Sequence, residues 1–235
     1  MIINNKYAND YKGCSISNIT YKIRLKKIST HGRDREMNFK LYKHKSILIH
    51  ELHNEIIDEF LKIVSSISEN TIQERFENSS KRTKSLTYAL KDELNESLLE
   101  NGFENEINIF SSPKEAQSKR FTYDYFKDGI SIEFGFHHEM ASAWKLIKGS
   151  LEFDNRMIPN QNSQVSIIIS VTKDMKIKGG FDGSIATYEK YISYLGPMYN
   201  NVIRPIILVG LLPFDSFSIK HNQYYDKTVG KLNFN

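Results

Sequence analysis

Asp128-Gly129 stands between two runs of alternating apolar residues, R-F-T-Y-D-Y-F-K before it and I-S-I-E-F-G-F-H-H after it. A type I′ hairpin turn needs φ > 0 at both central positions. Asp-Gly between alternating runs is among the strongest short-range signals for such a turn. The turn sets the register: Lys127 faces Ile130, Tyr125 faces Ile132 and Asp124 faces Glu133. Side chains alternate along a strand. Phe121, Tyr123, Tyr125, Ile132, Phe134 and Phe136 therefore share one face, which reads as core. Arg120, Thr122, Asp124, Ser131, Glu133, Gly135 and His137 share the other.

Two carboxylates placed opposite each other repel, and the pairing costs stability. A divalent cation between them removes the repulsion. Mg²⁺ takes oxygen ligands, often one or two carboxylates with waters and a phosphate. Asp124 and Glu133 are thus a candidate metal site for phosphodiester chemistry. The plainer alternative is a solvated hairpin face on which two acids happen to align.

The chain around this hairpin has 235 residues, enough for one domain or one domain with an appendage. Hydrophobic residues make up 40%, which allows a sizeable core, and 26% are charged. With a mean hydropathy of −0.47, this composition predicts a soluble protein. No apolar run reaches the length of a membrane span, and the N-terminal residues do not read as a signal peptide. The single cysteine, Cys14, excludes intrachain disulfides and fits a reducing compartment. No Cys/His spacing suggests zinc. The net charge is +4, which permits an anionic partner without demanding one. Lys22 to Lys45 is rich in basic residues, and Lys81, Arg82 and Lys84 form a second cluster suited to phosphate contacts.

In chain order, Thr20 to Ile28 alternates as a strand, and Met37 to Tyr42 reads as its hairpin mate, an appendage or edge element. Ser46 is placed to cap a helix from Ile47, whose Leu48, Leu52, Ile56, Phe60, Ile63 and Ile67 form one apolar stripe. Asn70 to Ser80 is polar and reads as loop, with at most a helical turn near Phe76. A helix from about Lys84 to Leu99 carries Leu86, Leu90, Leu94 and Leu98, and Gly102 ends it. Glu106 to Phe110 reads as a short strand. After His138 a helical period places Met140, Trp144, Ile147 and Leu151, with Leu146, on the buried side. Val165 to Val171 is a nearly continuous apolar run, the mark of a strand covered on both faces. Lys176 to Gly183 reads as a glycine-rich loop. Ser184 is placed to cap a helix through Leu195, Pro205 to Leu212 is a second buried strand, and the tail from Phe214 is polar and aromatic. Strands alternating with helices predict an α/β fold, a central mixed β-sheet flanked by helices.

From about Lys84 to Leu212 the chain resembles type II restriction endonucleases of the BglII kind, within the PD-(D/E)xK nuclease superfamily. The resemblance rests on Asp124 with Glu133-Phe134-Gly135, on K-R-F before the aspartate, and on V-S-I-I-I-S-V-T-K, D-G-S-I-A-T-Y-E and P-I-I-L-V-G-L. It implies a restriction-endonuclease-like core over residues 46–235, with a DNA-contacting C-terminal tail and residues 1–45 as an N-terminal hairpin appendage. It implies a Mg²⁺-dependent, sequence-specific nuclease of the bacterial cytoplasm. The substrate would be double-stranded DNA, cut at a short palindrome by a homodimer, without membrane attachment. Asp124 and Glu133 would be catalytic and hold the metal.

One position departs from the pattern. The third signature residue is commonly Lys in the superfamily and Gln in BglII, but is Gly135 here. His137, two residues on, is a candidate general base or water-positioning group. Lys145 or Lys148, one turn apart on the following helix, could bring a charge to the vacant place. By the same resemblance, His137, His138, Glu139, Asp182, Ser184, Tyr224 and Tyr225 are candidates for base contacts, and Lys81, Arg82 and Lys84 for phosphate contacts. Two other functions stay open: a DNA-binding module of this fold that has lost catalysis, and a structure-specific nuclease.

Overall fold

The computed structural model describes residues 36–45, 54–79, 83–111, 121–136, 138–151, 163–224 and 227–234, the side chains of Tyr224 and Lys227 apart. In chain order the elements are β1 (Phe39–His44), α1 (Asn54–Ser66), α2 (Glu69–Asn78), α3 (Thr87–Glu100), β2 (Glu104–Asn108), β3 (Thr122–Lys127) and β4 (Ile130–Phe134). There follow a 3₁₀ turn (Glu139–Ala141), α4 (Ser142–Lys148), β5 (Val165–Val171), α5 (Lys173–Lys178), α6 (Tyr188–Leu195), β6 (Ile206–Leu211), β7 (Phe217–Tyr224) and β8 (Lys227–Phe234).

Six strands form one mixed sheet in the order β1-β6-β5-β4-β3-β2. β4, β5 and β6 run parallel to one another, and the other pairings are antiparallel. The Asp128-Gly129 turn forms as expected, with φ of 43° and 82°. Lys127 pairs with Ile130 and Tyr125 with Ile132, as the turn dictates. β5, with strands on both sides, is buried at every residue.

Alternation along the central strands divides the core. Ile130, Ile132 and Phe134 of β4, with Val165, Ile167, Ile169 and Val171 of β5, pack with Phe60, Ile63, Val64, Leu90, Leu94 and Leu98 from α1 and α3. On the opposite face Ile168, Ile206 and Leu208 pack with Leu146 of α4 and with Tyr188, Tyr191 and Leu195 of α6. Ser131 and Glu133 of β4 and Ser166 and Ser170 of β5 are also buried. Alternation assigns them to this second face, under α4 and α6.

Several expectations are corrected. Of the two readings of Met37 to Tyr42, appendage or edge element, the edge element is seen: Phe39–His44 pairs antiparallel with β6 at the edge of the central sheet; Thr20 to Ile28 lies outside the described residues. The segment expected as loop after Asn70 is helix α2. Ser68 caps it by accepting from the Thr71 amide at 3.1 Å, Ile72 is fully buried, and Arg75 pairs with Glu93 and Glu96 of α3. A helix with so few apolar residues has almost no periodic signal, and its stability comes from the cap and from α3. Helix α5 takes in residues 176–178, the first three of the expected glycine-rich loop, and the tail forms the β7–β8 hairpin, anchored by Phe217 and Ile219 in the main core. Met140 is 86% exposed instead of buried. Tyr123, expected on the main core face, belongs instead to a smaller cluster with Ile109, Phe110 and Phe126.

At the end of β1, His44 is buried against the edge of Tyr199, with ring centroids 5.2 Å apart. Burial, with the Lys45 charge beside it, lowers its pKa to about 4. The unfolded chain takes up this proton near pH 6.5, whereas the folded chain does not until about pH 4. The stability owed to neutral His44 is therefore complete above pH 6.5 and is lost as the pH falls to about 4, a loss of up to about 3 kcal/mol. His44→Phe keeps the ring contact and removes the proton. Denaturant titrations at pH 7 and pH 4.5 should show a smaller acid-induced loss in this variant than in the parent; equal losses would contradict the assignment.

Candidate active site

The hairpin register that carries Tyr125 opposite Ile132 brings Asp124 and Glu133, one residue further on, to neighbouring positions on β3 and β4. Their surroundings differ. The Glu133 side chain is 2% exposed and the Asp124 side chain 34%. Asp124 Oδ2 accepts a hydrogen bond from the Phe134 amide at 2.7 Å, which ties the aspartate to the strand bearing its partner.

The alternative of a solvated hairpin face does not describe Glu133, which is covered. α4 lies over it and presents Lys145 and Lys148, a helical turn apart and both buried. Lys145 Nζ is 2.7 Å from Glu133 Oε2 and 3.3 Å from Asp124 Oδ2, so one ammonium bridges both acids. Lys148 pairs with the other Glu133 oxygen and donates to the Thr122 carbonyl at 2.6 Å. The buried side of α4 is therefore chosen by charge as much as by apolarity. The sequence offers Lys145 or Lys148 for the place left vacant at Gly135, and the structure brings both ammonium groups to the acids.

The charges settle in a consistent pattern. Burial pushes the Asp124 carboxyl up, but Lys145, the Phe134 amide and Lys148 outweigh it and hold the pKa below the usual carboxylate range. In the dry position of Glu133, burial wins over the two lysines and the pKa is raised. Burial also opposes charge on Lys145, yet Glu133 and Asp124 together raise its pKa. Lys148 lies lower than an ordinary lysine, because its burial outweighs Glu133.

Gly135 is packed shut. Its amide donates to the Ile169 carbonyl at 2.6 Å. A Cβ there would stand 2.9 Å from that oxygen, 3.0 Å from Ser170 Cβ and 3.1 Å from the Tyr191 ring. Tyr191, fully buried on α6, thus covers the strand where the third signature side chain would emerge.

The remaining expected site residues fall into three groups. Lys81, Arg82, His137 and Tyr225 lie outside the described residues. His138, Asp182 and Ser184 come together: His138 bridges Ile185, and the Glu139 amide donates to the Ser184 carbonyl at 2.8 Å. Ser184 does not cap a helix. Its amide and hydroxyl both donate to Asp182 Oδ1, at 2.7 and 2.6 Å, and Thr187 caps α6 instead. Lys84 is exposed and close enough for its charge to act on Asp182; its carbonyl meets His221 Nε2 of β7 at 2.9 Å, and Tyr224 ends that strand.

A central mixed sheet with paired acids at the β3–β4 hairpin, covered by helices on both faces, is the architecture of the restriction-endonuclease class. The family profile described as "Restriction endonuclease BglII/BglIII" matches residues 42–211. The chain belongs to the BglII/BglIII restriction endonuclease family, whose enzymes are site-specific deoxyribonucleases. Among solved structures, the crystal structure of restriction endonuclease BglII complexed with a DNA 16-mer shares the fold. Its TM-score is 0.54 at 17% identity, over 84% of this chain and 91% of that one. The crystal structure of free BglII gives 0.46 at 16% identity, over 84% and 92%. No curated protein matches the sequence. Among the described residues no helix is long and apolar enough to cross a membrane.

Proposed function

We propose that the chain is a Mg²⁺-dependent type II endonuclease of the bacterial cytoplasm that hydrolyses double-stranded DNA at a short palindrome as a homodimer. The observation that carries this reading is the convergence of Asp124 Oδ2 and Glu133 Oε2 on a single cation, the Lys145 ammonium. A pair of hard oxygen donors already gathered round one positive charge suits a Mg²⁺-class ion. Among the described residues no third acid, His or Cys joins them, which fits an ion that completes its shell with water and phosphate. Asp124 and Glu133 would hold the metal, which when bound would lower the pKa of a water and offset charge on the phosphate. Asp124, the more open of the two, would meet substrate first, with its carboxylate held in place by the Phe134 amide.

DNA as substrate is supported by the family and by the fold shared with a DNA-bound BglII. His138, Asp182 and Ser184, on adjoining loops beyond the ends of β4 and β5, are the proposed base-reading group. Lys81, Arg82 and Lys84 are the proposed phosphate contacts and Tyr224 a further DNA contact. Palindromic cutting implies two-fold symmetry. Gly135 favours a second reading, a DNA-binding module without catalysis.

The test is digestion of plasmid and phage DNA by the purified chain in Mg²⁺ and in EDTA. Discrete fragments in Mg²⁺ alone are expected, and their end sequences would give the site. Salt-sensitive DNA binding without cutting would favour the binding module. Cutting without discrete bands would favour a structure-specific nuclease.

A further inference from the structure

Resting on that reading, we propose that Lys145 supplies from helix α4 the third functional group that Gly135 cannot. Its ammonium is the resident countercation of Asp124 and Glu133 in the metal-free enzyme, and it yields the acids to a divalent cation when the site is loaded.

Three observations carry this. First, position 135 is closed to any side chain by Ile169, Ser170 and Tyr191, so the group must come from elsewhere. Second, Lys145 is the lysine that touches both acids, at 2.7 and 3.3 Å. Lys148 is engaged differently, on Glu133 Oε1 and the Thr122 carbonyl, and serves as an anchor. Third, Asp124 is a third exposed, so the Lys145–Asp124 contact is the open side of an otherwise buried cluster. An ammonium and a divalent cation cannot both occupy the space between two carboxylates. The ammonium, carried on a flexible four-carbon stem, would give up that space and keep its charge near the acids, where it would meet a phosphate drawn to the same centre. The role is electrostatic: Lys145 keeps its proton and forms no covalent bond.

Exchange of one cation for another has a thermodynamic signature independent of catalysis. Removing Lys145 removes the competitor, so Lys145→Met should bind Ca²⁺ about tenfold more tightly than the parent, given the Coulomb energy of charges this close. It should also cleave DNA about 10²-fold more slowly in Mg²⁺, on the scale of losing one electrostatic group. Lys148→Met should show no such gain in Ca²⁺ affinity. Ca²⁺ affinity is read from the rise in melting temperature with Ca²⁺ concentration, without DNA. Unchanged or weaker Ca²⁺ affinity in Lys145→Met overturns the proposal, and so does undiminished cleavage. If Lys145→Met does not fold, lysine acetylation of the unaltered protein decides: Lys145 should be protected in EDTA and exposed in Ca²⁺, and equal reactivity overturns the proposal. If the unaltered protein cuts no DNA in Mg²⁺, it is the endonuclease reading that fails, whatever Ca²⁺ does.

Discussion

Asp124→Asn is expected to lower DNA cleavage by about 10³-fold, the scale on which a lost electrostatic group acts in a transition state. The fold should survive it. An asparagine side-chain oxygen still accepts from the Phe134 amide, so the tie between β3 and β4 is kept. Lys145 keeps its shorter contact, to Glu133. The Asp124 side chain is a third exposed, so the lost ion pair is screened and should cost no more than about 1 kcal/mol. A plasmid-nicking assay run beside a denaturant titration checks both halves. Activity within tenfold of the parent would remove Asp124 from the chemistry.

Glu133→Ala should behave in the opposite proportion, inactive and badly destabilised. It strips one carboxylate from two buried ammonium groups at once, leaving Lys145 the longer contact to Asp124 and Lys148 the Thr122 carbonyl, and breaking a buried pair by deleting one side costs about 3–5 kcal/mol. For a domain of this size that corresponds to a fall in melting temperature on the order of 10 °C. Glu133→Gln keeps an oxygen for one lysine and should lose less stability while remaining equally inactive. The comparison separates what the carboxylate does for the reaction from what it does for the fold. A melting temperature for Glu133→Ala close to that of the parent would mean that the lysines find other partners and that the cluster is not the keystone of α4.

These two acids were legible in the sequence because a two-residue turn leaves no freedom of register. Once Asp128-Gly129 is the turn, the neighbours along both strands follow by counting. The same holds for β5, whose nearly continuous apolar run matches burial on both faces, and for Leu86 at the start of α3 with Leu90, Leu94 and Leu98 within it. Local pattern fails where a partner far along the chain decides the outcome. Lys145 and Lys148 are buried only because Glu133 waits beneath them, and an apolar stripe drawn through Met140 and Trp144 carries no knowledge of that charge. Helix α2 is held by its Ser68 cap and by Arg75 reaching Glu93 and Glu96, with hardly any apolar period. The β7–β8 hairpin is anchored by Phe217 and Ile219 within otherwise polar strands.

The ring of Tyr191 over Gly135 has a consequence for how such an enzyme could be governed. A lysine borne by the strand would travel with the acids and be present whenever they are. A lysine borne by α4 arrives by a separate carrier, a helix of seven residues. The turn before that helix is bonded to the Ser184 loop, and Ser150 just beyond it accepts from the amides of Ile203 and Arg204. Whatever grips the His138–Ser184 side therefore has a short mechanical path to the charge at the reaction centre. On the proposed reading, recognition and reactivity would be joined by a lever, while the acids themselves stay fixed in the sheet.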